Sequence, residues 1–123
     1  GLGIPAEPLF RSASIMFPLY DVNGRVVGFS GRIYKDVDQN KYLNTKETDI
    51  FKKGEMLYHY HIAREVCREK KSVIVMEGFM DVIRASTIGI KNTVALMGTA
   101  LTKEQISLLK RLSNNIIFSL FMY

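Results

Sequence analysis

The stretch Val73-Ile74-Val75-Met76-Glu77-Gly78-Phe79-Met80-Asp81 decides the fold. Residues 72–76 are a short, apolar, β-branched run, the pattern of a strand covered on both faces. Gly78 lets the chain turn sharply, and residues 79–88 can then form a short helix that stops at Gly89. Toward the C-terminus, residues 92–96 read as a second strand. Thr102-Lys103-Glu104-Gln105 has capping-box spacing and opens a helix expected to bury Ile106, Leu109 and Leu112. Residues 116–120 read as a third strand. The order βαβαβ implies a small parallel sheet with right-handed crossovers, whose sites sit at the carboxyl ends of the strands. That geometry singles out Glu77.

Toward the N-terminus, residues 15–21 and 25–33 read as the arms of a hairpin around Val22-Asn23-Gly24. The Asn-Gly pair predicts a type I′ turn, in which both central residues need positive φ. Ile15, Phe17 and Leu19 alternate on the first arm, and Val27, Phe29 and Ile33 share a face of the second. Gly28 and Gly31 leave the second arm bare at two points, where a bulge or another segment could approach closely. A polar stretch covers residues 35–53. Residues 55–70 then predict an amphipathic helix with Met56, Tyr60, Ala63 and Cys67 on its apolar stripe. The expected class is α/β, with an α+β N-terminal part made of a β-hairpin and a helix.

Composition narrows the function classes. The chain has 123 residues, with 17 Lys+Arg against 12 Asp+Glu, a formal charge of +5. At 47% apolar residues with only 3 Pro, it is no disordered tail and can form a modest core. The positive balance suits an anionic partner such as nucleic acid or a nucleotide. The longest nearly apolar run, residues 116–123, is far short of the roughly 20 residues that span a bilayer, so no membrane role is expected. Cys67 is the single cysteine, which excludes an internal disulfide. One Cys with two His makes no structural zinc site without outside ligands. The opening residues lack the pattern of a secretory leader, and Gly1 in place of Met suggests an excised fragment.

Several residues could carry chemistry. Glu77 projects from a strand end, and Asp81 follows one helical turn later on the same side. Two carboxylates aimed at one point suit a hard divalent cation such as Mg²⁺. The plainer reading is that acidic residues here complement the helix dipole, and spacing alone leaves both open. Lys41-Tyr42 pairs a point charge for phosphate with a ring that could stack on a base. Arg32 follows Gly31 at a strand end, and Lys52-Lys53-Gly54 adds two charges before a turn; on the residues alone, solvated surface charge is the plainer reading of each. Gly98-Thr99-Ala100 can be a phosphate-facing loop or a simple strand-to-helix turn. His59 and His61, two apart on a helix, point in different directions and are read as non-catalytic. Cys67 is read as core, and Met56, Met76 and Met80 as gap-fillers.

The stretch from Val73 to Asp81 resembles the first motif of the Toprim fold as found in bacterial DnaG-type DNA primases. The resemblance runs through nearly the whole chain. Ile15-Met16-Phe17-Pro18-Leu19 and Gly24-Arg25-Val26-Val27-Gly28-Phe29-Ser30-Gly31-Arg32 look like that family's hairpin. Lys41-Tyr42-Leu43-Asn44-Thr45 and Glu47-Thr48-Asp49-Ile50-Phe51-Lys52-Lys53-Gly54 look like its basic nucleotide-handling segment. Val94-Ala95-Leu96-Met97-Gly98-Thr99-Ala100-Leu101-Thr102 resembles its loop after the second Toprim strand.

The resemblance implies residues 1–70 as the C-terminal part of the basic subdomain of the primase core, and residues 71–123 as the N-terminal half of a Toprim domain. It implies a parent enzyme that makes short RNA primers on single-stranded DNA from ribonucleoside triphosphates at the replication fork, in the cytoplasm. Mg²⁺ or Mn²⁺ is the expected cofactor, with Glu77 and Asp81 as metal ligands or acid/base groups. Arg32, Lys41, Tyr42, Asn44 and Lys53 match the family's nucleotide and nucleic-acid surface. Zinc is expected only in a separate N-terminal module, and contact with the replicative helicase only through a separate C-terminal domain. Another Toprim enzyme, of topoisomerase or nuclease type, and a non-catalytic nucleotide or single-strand binder are the alternatives.

The chain departs from the family in two places. Where the family has an Asp-x-Asp pair after the third strand, this chain has Phe121, Met122 and Tyr123. Glu77 and Asp81 are then half a metal site, and the chain alone is expected to be inactive. Ser12 and Ser14 stand where the family has basic residues. With few covering layers, the apolar third strand predicts an edge prone to self-association.

Overall fold

The computed structural model describes the backbone of residues 13–33 and 42–119, with side chains for residues 15–31 and 44–119. Strands β1 (Ala13–Tyr20), β2 (Val26–Ile33) and β3 (Tyr42–Asn44) form an antiparallel sheet in that order. The polar stretch 35–53 thus holds more structure than its composition suggests: β3, and a 3-10 turn that begins at Lys53 (Lys53–Glu55). The hairpin forms as expected, but its turn is not type I′. Only Gly24 is left-handed, at φ 81°, and Asn23 is not. The reason is Asp21, whose carboxylate accepts from the amides of Asn23 and Arg25, both at 2.9 Å. With those donors satisfied, one left-handed residue suffices to reverse the chain.

Gly28 is where a close approach occurs. A Cβ there would lie 3.2 Å from the Phe51 ring and 3.1 Å from Thr45 Oγ1. Thr45 Oγ1 accepts from the Phe29 amide and donates to the Phe29 carbonyl, which fastens the chain leaving β3 to β2. Phe51, Leu19, Val27, Met56 and Met97 make up the small core under this sheet. Of the alternating residues on β1, Leu19 is buried, Phe17 half-buried and Ile15 exposed.

The second half is the expected βαβαβ unit. Strands β4 (Val73–Met76), β5 (Thr93–Ala95) and β6 (Ile116–Ser119) are parallel, in the order β5-β4-β6. Helices α2 (Phe79–Thr87) and α3 (Lys103–Leu112) make the crossovers. Helix α1 (Tyr60–Lys70) precedes the unit yet packs on it: Tyr60, Ala63 and Cys67 join Val73, Val75, Leu109 and Leu112 in one core.

Two expectations are corrected. The first helix begins at Tyr60, not at residue 55. Tyr58 cannot join it, because its amide and carbonyl pair with Ala95 at 3.0 and 3.2 Å, a one-residue antiparallel bridge on the outer side of β5. Met56 is buried all the same, in the hairpin core and not on the helix stripe. On α3, Ile106 faces water, while Gln105, Leu108, Leu109 and Leu112 are buried. Spacings of three, four and seven from Gln105 define the inward stripe, and a polar residue heads it. On β6, Ile117 and Phe118 are 44% and 49% exposed, while Ile116 packs on the core.

His61 fixes the hairpin turn to α1. Its ring packs at a tilt against Tyr20, with centroids 4.9 Å apart, and lies 3.2 Å from the point where a Gly24 Cβ would be. Arg64 donates to the Val22 carbonyl alongside. Burial pushes the His61 imidazole below its usual pKa; His59 and Arg64 push the same way, and Asp21 opposes them. A depressed folded pKa means this contribution is whole above about pH 6.5 and is lost as the pH falls through the folded value.

Two outcomes are expected. Gly28→Val should cost about 1–3 kcal/mol in urea unfolding, because Phe51 and Thr45 leave no room for the side chain. The melting temperature should drop between about pH 7 and pH 5, and His61→Phe should flatten that drop, as followed by circular dichroism.

Candidate functional site

At the carboxyl end of β4 the chain leaves the sheet at Glu77 and turns through Gly78, the N-cap of α2. Glu77 is exposed, while its carbonyl accepts from the Met97 amide at 3.1 Å. That bond draws the 97–98 turn against Glu77, with Met97 at φ 59° and Gly98 at φ 82°. Asp81 sits in the first turn of α2, its amide bonded to the Gly78 carbonyl, and Arg84 approaches its carboxylate at 3.8 Å. This pair is exposed on the Arg84 side and adds little to stability.

Glu77 and Asp81 line a cleft of about 480 Å³ together with Met80 and Gly98. From the other half of the chain, Asn44 and Lys53 line the same cleft. The structure therefore brings four of the sequence-derived candidates to one place. Arg32 and Tyr42 are paired across β2 and β3, with Arg32 two residues along from Ser30, the partner of Asn44. Their side chains, and Lys41, lie outside the described residues, as do Phe121, Met122 and Tyr123.

What holds Lys53 there was not legible from its own surroundings in the sequence. Its amide donates to Glu47 Oε1 at 3.0 Å. Its carbonyl accepts from Gln105 Nε2 at 3.1 Å, across the molecule. Gln105 also donates to the Met56 carbonyl at 3.0 Å, while Thr102 donates to the Gly54 carbonyl. The aromatic seam of Phe17, Phe79 and Tyr58 closes the same boundary, with Phe79 centred 5.2 Å from Phe17 and 5.5 Å from Tyr58. Phe79 was read only as a helix start, and nothing in its spacing marks it as the joint.

The remaining candidates fall elsewhere. Neither His59 nor His61 lines the cleft. His59 caps α1 in a left-handed conformation, and its Nδ1 lies 2.9 Å from the Thr93 carbonyl, which makes Nδ1 the protonated nitrogen. Cys67 is buried, and burial pushes its thiol up to about 11, so it is not a nucleophile. Among the described residues no three of His, Cys, Asp and Glu cluster as a metal site. Two carboxylates beside a cationic side chain in an open cleft can hold a divalent ion partly coordinated by water and by the phosphates of a ligand. No helix among the described residues is long and apolar enough to cross a membrane.

Family models, curated proteins and solved structures all match this chain. Residues 9–64 match the family described as the DNA primase catalytic core, N-terminal domain, and residues 71–120 match the Toprim domain. A DNA primase of Listeria monocytogenes is 47% identical over 103 residues, which is 84% of this chain and 16% of that protein. The chain thus spans about a sixth of the length of the curated relatives it matches. Among solved structures, the Aquifex aeolicus primase, comprising zinc-binding and RNA polymerase domains, superposes with a TM-score of 0.84 at 36% identity, over 96% of this chain and 29% of that one. A DnaG primase catalytic domain bound to single-stranded DNA superposes with a TM-score of 0.75 at 46% identity, over 84% of this chain and 33% of that one.

Proposed function

Since the chain belongs to the DnaG-type DNA primase family, as part of its catalytic core, we propose that its cleft binds the triphosphate of a ribonucleotide during RNA primer synthesis on single-stranded DNA. The observation that supports this reading is the cleft itself, which draws Asn44 and Lys53 from the first half and Glu77 and Asp81 from the second. A single-strand template is supported by the relative whose catalytic domain binds single-stranded DNA.

In this reading Lys53 neutralises phosphate oxygens as a point charge, and Asn44 hydrogen-bonds the sugar or the phosphates beside it. Arg32, Lys41 and Tyr42 continue the same surface, the cations for phosphate and the ring for stacking. Glu77 and Asp81 fit a hard divalent ion: both are oxygen donors lining the cleft, and Mg²⁺ is commonly held by one or two carboxylates with waters and substrate phosphates. Mg²⁺ or Mn²⁺ bound there would polarise the α-phosphate and offset charge on the departing pyrophosphate. Glu77, exposed at the strand end, would serve as a ligand to that ion or as the base for the attacking 3′-hydroxyl. Two carboxylates supply part of such a site, and nucleotide binding is the activity assigned to this chain. Its setting would be the replication fork in the cytoplasm, with contact to the replicative helicase made by other parts of the parent enzyme.

The test is ribonucleoside triphosphate binding by the purified chain with and without Mn²⁺. Mn²⁺ is expected to tighten binding, Glu77→Ala to abolish that gain, and Lys53→Ala to weaken binding about tenfold, the size of one charge-assisted contact. Binding indifferent to Mn²⁺ and to both substitutions would overturn the reading.

A further inference from the structure

We propose that Gln105 is a positioning residue: its carboxamide sets where Lys53 stands in the cleft, and so sets nucleotide affinity without touching the nucleotide. The proposal rests on the nucleotide-binding reading above.

Gln105 is wholly buried and its carboxamide is used at both ends. Oε1 accepts from the Thr102 amide at 3.1 Å, and Thr102 Oγ1 accepts from the Gln105 amide at 3.1 Å, which completes the capping box of α3. The cap uses only the oxygen. Nε2 is spent on a different task, donating to the Lys53 carbonyl at 3.1 Å and the Met56 carbonyl at 3.0 Å. Thr102 repeats the pattern, capping the helix while donating to the Gly54 carbonyl. Two side chains of one helix turn therefore grip three carbonyls of the segment 53–56.

The consequence falls on Lys53. Its backbone is held on one side by Glu47 and on the other by Gln105, and the residue lines the same cleft as Glu77 and Asp81. A flexible lysine loses less of its contact energy when its stem starts from a fixed point. Glutamate serves a capping box as well as glutamine does. It cannot serve the grip, because a carboxylate would set its oxygens against the Lys53 and Met56 carbonyls with no hydrogen to share. Local helix chemistry therefore does not require glutamine here, and the grip does.

The experiment is Gln105→Glu in the full chain, read in two ways. In hydrogen exchange, the Glu55 amide, which donates to the Lys52 carbonyl inside the gripped turn, is expected to exchange about tenfold faster, while the Ile106 amide on Thr102 keeps its protection. In Mn²⁺-dependent ribonucleoside triphosphate binding, Gln105→Glu is expected to lose about as much affinity as Lys53→Ala, and the double variant no more than either alone. If Gln105→Glu does not melt cooperatively, Gln105→Met, of similar length and helix propensity, takes its place with the same expectations. Unchanged Glu55 exchange overturns the proposal whatever the nucleotide does. So does faster exchange with affinity retained, or with losses that add to those of Lys53→Ala. Failure of the unaltered chain to bind nucleotide would instead remove the reading beneath the proposal, and is seen before any variant is made.

Discussion

The boundary between the two halves depends on satisfying the carbonyls of a 3-10 turn too short to satisfy them itself. Residues 53–56 leave the antiparallel sheet and have yet to reach α1, so their C=O groups need partners from elsewhere. The first turn of α3 supplies them. Each such bond contributes only about 0.5–1.5 kcal/mol net, but a buried carbonyl left without a donor costs about 1–3 kcal/mol. The asymmetry makes the joint hard to open one bond at a time. It also explains why a polar residue, Gln105, heads the inward face of α3, where the pattern of the other buried positions calls for an apolar one.

Around that joint the two cores interlock. Met97, from the loop after β5, is buried in the hairpin core, and α1 is buried in the core of the parallel sheet. Phe79, the residue after the Gly78 turn, packs between Phe17 and Tyr58. The carboxylates at the end of β4 thereby share a cleft with Asn44 of β3 and with Lys53 of the turn beyond it. A parallel sheet alone gives a strand end with a helix start beside it. The opposing wall, which turns that strand end into a cleft, comes from packing across the boundary.

Much of the fold could be read from the sequence, and the reasons are local. The run 72–76 with Gly78, the stop at Gly89 and the capping box at Thr102 each carry their own signal, and the βαβαβ unit follows from their order. Glu77 and Asp81 were legible for the same reason, since a strand end and a first helical turn are set by neighbours in sequence. The errors arise where distant contacts override local preference. Residues 55–59 have a helical pattern, yet the Tyr58 backbone is committed to Ala95. Asn23-Gly24 favours a type I′ turn, yet the Asp21 carboxylate makes another turn sufficient. Ile106 looks like core by type, yet the burial of Gln105 rotates the stripe by one position. The resemblance of Lys53 to a nucleotide-handling residue named the side chain, but not the helix turn that holds it.

The bridge between Tyr58 and Ala95 has a consequence for how copies of this chain can associate. It occupies the outer N–H and C=O of Ala95, so no strand of another copy can pair with β5 at that point. A sheet with two free borders can add neighbours indefinitely, as fibres do. A sheet with one has a valence of one. The small bridge at Tyr58 thus closes, at Ala95, one of the two borders along which such addition would run.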